Sequence, residues 1–221
     1  MKLGMILIAA FQYFVLAFTS LFPMVNPFSA IPLFLALTAE MTNQERRRQG
    51  TRACWNSAII MSVALFLGSA ILEFFGISIG SLRVAGGLIV AYLGFGMLFP
   101  TAERSVDVKT AADHGFQDYS FIPLALPSLS GAGTLAVIIG FSTQIAERHT
   151  LIEKGVGYLI CLLAILLVAL LSVIVLRASE QINRVLGTKG LEVLSRIMGL
   201  IMICIGVQFV TGGIKLLIQT P

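Results

Sequence analysis

From Leu3 to Ala39 the chain runs for 37 residues without a charged side chain, yet this stretch holds three prolines, at positions 23, 27 and 32. One helical crossing of a bilayer core needs about 20 apolar residues. A proline inside a helix has no N–H to donate, and its ring clashes with the carbonyl four residues earlier. The residue before it is pushed away from helical angles. The run therefore predicts a membrane segment that is broken partway, at Asn26-Pro27. The same punctuation returns 100 residues later, where Pro23-x-x-x-Pro27 is matched by Pro123-x-x-x-Pro127.

Composition agrees with a chain built for lipid. It is 57% hydrophobic and 12% charged, with a mean hydropathy of +0.94, whereas soluble domains carry about 25% charged residues. The net charge of +4 does not point to nucleic acid, because nearly every charge falls in a gap between apolar runs. Cys54, Cys161 and Cys204 are scattered through apolar segments without ligand spacing and read as packing residues. No metal or cofactor is expected. Met1-Lys2 before an apolar run resembles a signal peptide, but the run continues too far and lacks a small-x-small cleavage site, so it is read as the first membrane segment.

Six segments follow: 5–38, broken near Asn26-Pro27; 53–72; 84–99; 119–145, broken around Pro127–Gly133; 156–176; and 197–217. Thr42-x-x-Glu45 is a capping-box signature that starts the second helix before it enters lipid. Residues 100–118 are polar and aperiodic and read as a linker. The chain thus divides into a first repeat at 1–105, a cytoplasmic linker loop at 106–118 and a second repeat at 119–221. Loops after the odd segments carry ten Lys and Arg against five on the other side. The positive-inside rule then places the linker in the cytoplasm and both termini outside it.

A second match supports the division. Gly87-Leu-Ile-Val-Ala-Tyr-Leu-Gly94 in segment three resembles Gly199-Leu-Ile-Met-Ile-Cys-Ile-Gly206 in segment six, each preceded by an arginine, Arg83 and Arg196. Three segments per half is an odd number, so the second half enters the membrane from the opposite side, as an inverted repeat. The expected fold is all-α and integral to the membrane, with segments one and four broken. Gly87 and Gly94 share a helix face, as do Gly199 and Gly206, and read as close-packing positions.

Backbone groups freed inside a bilayer cost several kcal/mol each unless they are satisfied, and such breaks are tolerated where they line a cavity. Helix N-termini there attract anionic groups and C-terminal carbonyls attract cations. A small zwitterion requires both. The candidate substrate-binding residues are Asn26, Pro27 and Ser29 at the first break, and Pro127, Ser128, Ser130, Gly131, Gly133 and Thr134 at the second. The glycines and following amides form an anion-binding nest. Asn56, Ser57, Gln144 and Gln208 are read as interhelical hydrogen-bonding residues, and Glu73 as an interfacial acid or proton carrier.

The set Asn26-Pro27-x-x-x-x-Pro32, Arg83-x-x-Gly86-Gly87-Leu88-Ile89, Pro127-x-x-x-Gly131-x-Gly133-Thr134 and Arg196-x-x-Gly199 resembles the MarC family of bacterial and archaeal inner-membrane proteins. The resemblance implies six membrane segments and a multi-pass inner-membrane location. Through the related small neutral amino acid transporters it implies glycine or alanine as substrate. Ser29 stands where glycine is usual in that family, and Ala132 where proline is usual. A secondary transporter of this kind would have a proton or sodium as coupling ion. A passive channel, or an efflux protein for other small molecules, is the competing expectation. An enzyme is not expected, because neither a G-x-S-x-G elbow nor an H-E-x-x-H site is present.

Overall fold

The computed structural model describes residues 2–99, 118–148 and 150–219. These residues form helices α1 (Lys2–Val25), α2 (Ala30–Leu37), α3 (Asn43–Phe74), α4 (Ile79–Leu98), α5 (Ser120–Leu129), α6 (Ala132–Ala146), α7 (Leu151–Arg177) and α8 (Ser179–Gln219). Five are long and apolar enough to cross a bilayer, through the stretches Ile8–Val25, Asn43–Phe74, Ile79–Leu98, Leu151–Arg177 and Lys189–Ile218. Ala132–Ala146 is a shorter apolar helix. There is no strand among the described residues.

Helix starts follow local chemistry. Thr42 caps α3 with a complete capping box: its Oγ1 accepts from the Glu45 amide at 3.3 Å, and the Glu45 carboxylate accepts from the Thr42 amide at 2.9 Å. Thr150 caps α7 by accepting from the Glu153 amide at 3.2 Å, and Ser78 caps α4 by accepting from the Ser81 amide at 3.1 Å.

Two expected boundaries shift. The third segment begins at Ile79 rather than residue 84, because the Ser78 cap starts the helix one turn earlier; Arg83 therefore lies inside α4. The sixth begins at Lys189 rather than residue 197, and a separate helical stretch from Ser179 leads into it. That stretch is polar, and the chain turns at Gly187, whose φ of 66° is open to glycine at little cost. Hydropathy alone does not register a polar helical lead-in. The linker at 106–118 lies outside the described residues except for Asp118.

Lipid offers no hydrophobic drive between helices, so close packing must hold them together. The core is formed by Ala17, Leu21, Phe34, Met61, Leu65, Ile138 and Ile165, drawn from α1, α2, α3, α6 and α7. The most intimate contact joins α4 to α8, which run antiparallel. A Cβ on Gly87 would lie 2.6 Å from the Gly206 carbonyl oxygen, and one on Gly94 would lie 2.6 Å from that of Gly199. One on Gly213 would lie 2.7 Å from that of Gly80. Glycines spaced by seven in both helices thus bring backbone onto backbone, as the shared faces predicted. Cys54 and Cys161 are buried in the packing, while Cys204 is exposed.

Candidate functional site: two broken helices

The first break is short. α1 continues through Pro23 and ends at Val25. Asn26 then adopts φ +40°, the left-handed region that asparagine enters more readily than most residues. Its amide still donates to the Phe22 carbonyl at 3.0 Å. Its own carbonyl and Oδ1 both accept from the Ser29 amide, at 3.1 and 3.4 Å. Pro27 has no N–H, so the Pro23 carbonyl loses the helical donor that would otherwise close on it.

The second break is longer and wound more widely. Leu124 donates to the Tyr119 carbonyl at 3.4 Å and Ser130 to the Ala125 carbonyl at 2.9 Å, both spanning five residues rather than four. Pro123 and Pro127 cause this: each removes a donor and drives its predecessor to extended angles, Ile122 to φ −121°, ψ 126° and Leu126 to φ −119°, ψ 128°. The Ile122–Pro123 bond is cis. Gly131, at φ −66°, ψ 172°, then starts α6 without a side-chain cap. The first bond of α6 runs from the Leu135 amide to the Gly131 carbonyl at 3.1 Å. The amides of Ala132, Gly133 and Thr134 precede it, in the first turn, where no intrahelical acceptor exists.

The breaks meet. A Cβ on Gly133 would lie 3.8 Å from the Met24 sulfur at the end of α1, and 3.2 and 3.4 Å from Val90 and Leu93 of α4. The candidate side chains nevertheless point to two sides. Asn26, buried, aims its amide at the Met97 sulfur of α4, 3.8 Å away. Ser29 Oγ lies 3.1 Å from Ser195 Oγ of α8. Ser29 also lines a cleft of about 520 Å³ with Pro32, Met97, Asn183, Glu192 and Ser195. Ser130 turns the other way. It is fully buried, and its Oγ shares a 2.6 Å hydrogen bond with Ser57 Oγ of α3. Thr134 and Gly133 are buried beside it and Ser128 is half-buried.

Met97, Asn183, Glu192 and Ser195 carry no sequence signal of their own. Met97 comes to the cleft from α4 and the other three from α8, on either side of the turn at Gly187, and Ser195 alone bonds to Ser29. Ser57 pairs as an interhelical residue should, and Asn56 likewise donates to Ser120 Oγ at 3.4 Å.

The model of the MarC family integral membrane protein matches residues 11–218. The UPF0056 inner membrane protein MarC of Escherichia coli (strain SMS-3-5 / SECEC) is 38% identical over 209 residues, covering 90% of this chain and 93% of that protein. The protein of the same name from Shigella flexneri is 38% identical over 210 residues, with the same coverage. No solved structure matches. A match over nearly the whole chain, on a fold of crossing helices that carries the broken-helix and glycine motifs in place, makes this chain a member of the MarC family of integral membrane proteins.

Proposed function

We propose that this multi-pass protein of the inner membrane is a secondary transporter of small solutes, with small neutral amino acids such as glycine or alanine as the favoured substrates. The observation that carries the reading is the meeting of two proline-broken helices at Met24 and Gly133. The first-turn amides of α6 supply positive potential for a carboxylate, and the Pro23 carbonyl, freed by Pro27, supplies an acceptor for an ammonium. The Asn26 amide can serve either group. No lysine or arginine from the breaks is needed to hold the substrate.

An inverted repeat underlies the proposed alternating access. In the Gly-Leu-Ile match Gly87 corresponds to Gly199 and Gly94 to Gly206. The contacts Gly87–Gly206 and Gly94–Gly199 are exchanged by that correspondence, as a two-fold axis between the halves requires. Substrate would enter along the cleft at Ser29 when one half rocks against the other.

The test is counterflow in proteoliposomes loaded with unlabelled alanine, glycine or serine. Saturable uptake of labelled alanine, accelerated by substrate on the far side, is expected. Linear flux without such acceleration would identify a channel, and absence of flux for all three would remove the amino acid assignment. Imposed proton or sodium gradients in the same vesicles identify the coupling ion. Reporter fusions within residues 100–117 are expected to read cytoplasmic, with both termini on the other side.

A further inference from the structure

A second cavity lies away from the breaks, where the beginning of α3 meets the end of α7. Gln44, Arg47, Arg48, Thr51, Arg52, Trp55 and Arg177 enclose about 460 Å³. Its charge is poorly compensated among the described residues. Arg46 turns away from it, to the Thr38 carbonyl at 2.9 Å and to Glu180. Arg52 has Asp118 at 3.3 Å, a carboxyl held below its usual range first by hydrogen bonds from Ser120 and then by Arg52 itself. Arg47 and Arg48 meet no carboxylate among the described residues. Arg177 is positioned from the side: its Nε donates to Thr51 Oγ1 at 3.2 Å, while Thr51 donates to the Arg47 carbonyl at 2.7 Å. Arg177 lines this cavity and, with Arg47, also a smaller neighbouring one that Glu180 shares.

An apolar groove continues from this basic pocket. It encloses about 330 Å³ along α3 and is lined by Trp55, Ile59, Val63, Phe66 and Leu67, with Leu166 of α7. Trp55, 52% exposed, lines both spaces. Ser62, the groove's one hydroxyl, donates to the Ala58 carbonyl at 2.7 Å, so the surface is effectively apolar. From Trp55 to Leu67 the helix rises about 18 Å at 1.5 Å per residue. One leaflet of the hydrocarbon core is about 15 Å deep. Tryptophan favours the level between headgroups and acyl chains.

We propose that this continuous surface binds an anionic glycerophospholipid, with the phosphate between Arg47, Arg48 and Arg177 and one acyl chain along the α3 groove. The guanidinium charge, in excess among the described residues, selects the acidic headgroup, because a zwitterionic lipid would bring an ammonium into a site that already holds cation. The length and apolarity of the groove select a chain-bearing ligand over a soluble phosphate.

The test is native mass spectrometry of the purified full chain titrated with dioleoyl phosphatidylglycerol, dioleoyl phosphatidylcholine or glycerol phosphate. Saturable retention of phosphatidylglycerol is expected, at least about 10-fold tighter than phosphatidylcholine, with no retention of glycerol phosphate. The double variant Arg47→Gln/Arg48→Gln should bind phosphatidylglycerol about 30-fold more weakly. Val63→Trp, which fills the groove from its lipid-facing side, should also weaken it while leaving both arginines in place. Equal retention of the two lipids overturns the proposal, as does unchanged affinity in the double variant. Tight glycerol phosphate binding would make this a soluble-anion site, and a dimer displaced by the double variant would make it an interface between copies. If the double variant does not fold, Arg48→Gln alone and the comparison of the two lipids on the unaltered protein still decide.

Discussion

The two breaks carry the same sequence punctuation and fold differently. In the first half Pro23 stays inside α1 and the chain breaks once, at Asn26. In the second, Pro123 and Pro127 each force an extended predecessor, and two bonds that span five residues, Leu124 to Tyr119 and Ser130 to Ala125, close the stretch. The neighbours of the prolines account for part of this. Asn26 can enter the left-handed region and close a turn on Ser29 within three residues. Leu126 stands before Pro127, in the place Asn26 holds before Pro27, and takes extended angles instead. At the α4–α8 seam, by contrast, the matched glycines behave alike: Gly87, Gly94, Gly199 and Gly206 each meet the carbonyl of the opposite glycine at 2.6 to 2.8 Å. Similarity between the halves thus resides in the packing seam, and the difference is concentrated at the proposed site, where the two ends of a zwitterion need unlike partners.

The largest effect is expected at the seam. Gly87→Val and Gly206→Val each drive a side chain into a backbone carbonyl that already lies 2.6 Å from the Cβ position. Both should destabilise by about 3 kcal/mol, at the upper end of overpacking costs, and by similar amounts. Thermal unfolding of the two variants in the same detergent checks this, and a large inequality would break the equivalence of the halves.

At the first break, conformation and chemistry can be separated. Asn26→Ala imposes a left-handed alanine, at a cost of about 1 kcal/mol, and removes the amide. Asn26→Gly removes only the amide. Both should lower alanine uptake by at least about 10-fold, as loss of one charge-assisted contact of about 1.4 kcal/mol implies, but only the alanine variant should lose stability. Wild-type uptake in Asn26→Gly would leave Asn26 a purely conformational residue.

Much of this was legible in the sequence because it rests on local rules. The capping box at Thr42 and Glu45, the break at Asn26-Pro27, the seven-residue glycine spacing and the packing role of Cys54 follow from neighbours a few residues away. What escaped depends on long-range approach. Ser29 reaches Ser195, and Ser57 reaches Ser130, across 166 and 73 residues of chain, and a lone serine has no periodicity to announce its partner. The early start of α8 escaped because a polar helix that precedes a crossing is invisible to hydropathy.

Smaller effects refine the comparison. Ser57→Ala and Ser130→Ala should each destabilise by about 1 kcal/mol, with a double variant that costs less than their sum, because both remove one buried hydrogen bond. A thermal-unfolding cycle measures that coupling. The helix caps give the smallest difference. Thr42→Ala removes a hydroxyl that both accepts from the Glu45 amide and donates to the Glu45 carboxylate and should cost about 1 kcal/mol, whereas Thr150→Ala removes a single acceptor and should cost less. Equal losses in the same unfolding assay would show that the second hydroxyl bond, to the Glu45 carboxylate, adds nothing.

The central claim is that the two breaks, which meet at Met24 and Gly133, form one solute site. Its most direct test is alanine counterflow by purified, folded Gly133→Val beside the unaltered protein. The added side chain would start 3.2 Å from Val90 and 3.4 Å from Leu93 of α4, and 3.8 Å from Met24 at the first break. Saturable exchange in the unaltered protein, abolished in Gly133→Val while Asn26→Gly retains a weakened fraction, is the predicted result. Undiminished exchange in Gly133→Val would contradict it and reduce the paired breaks to structural kinks.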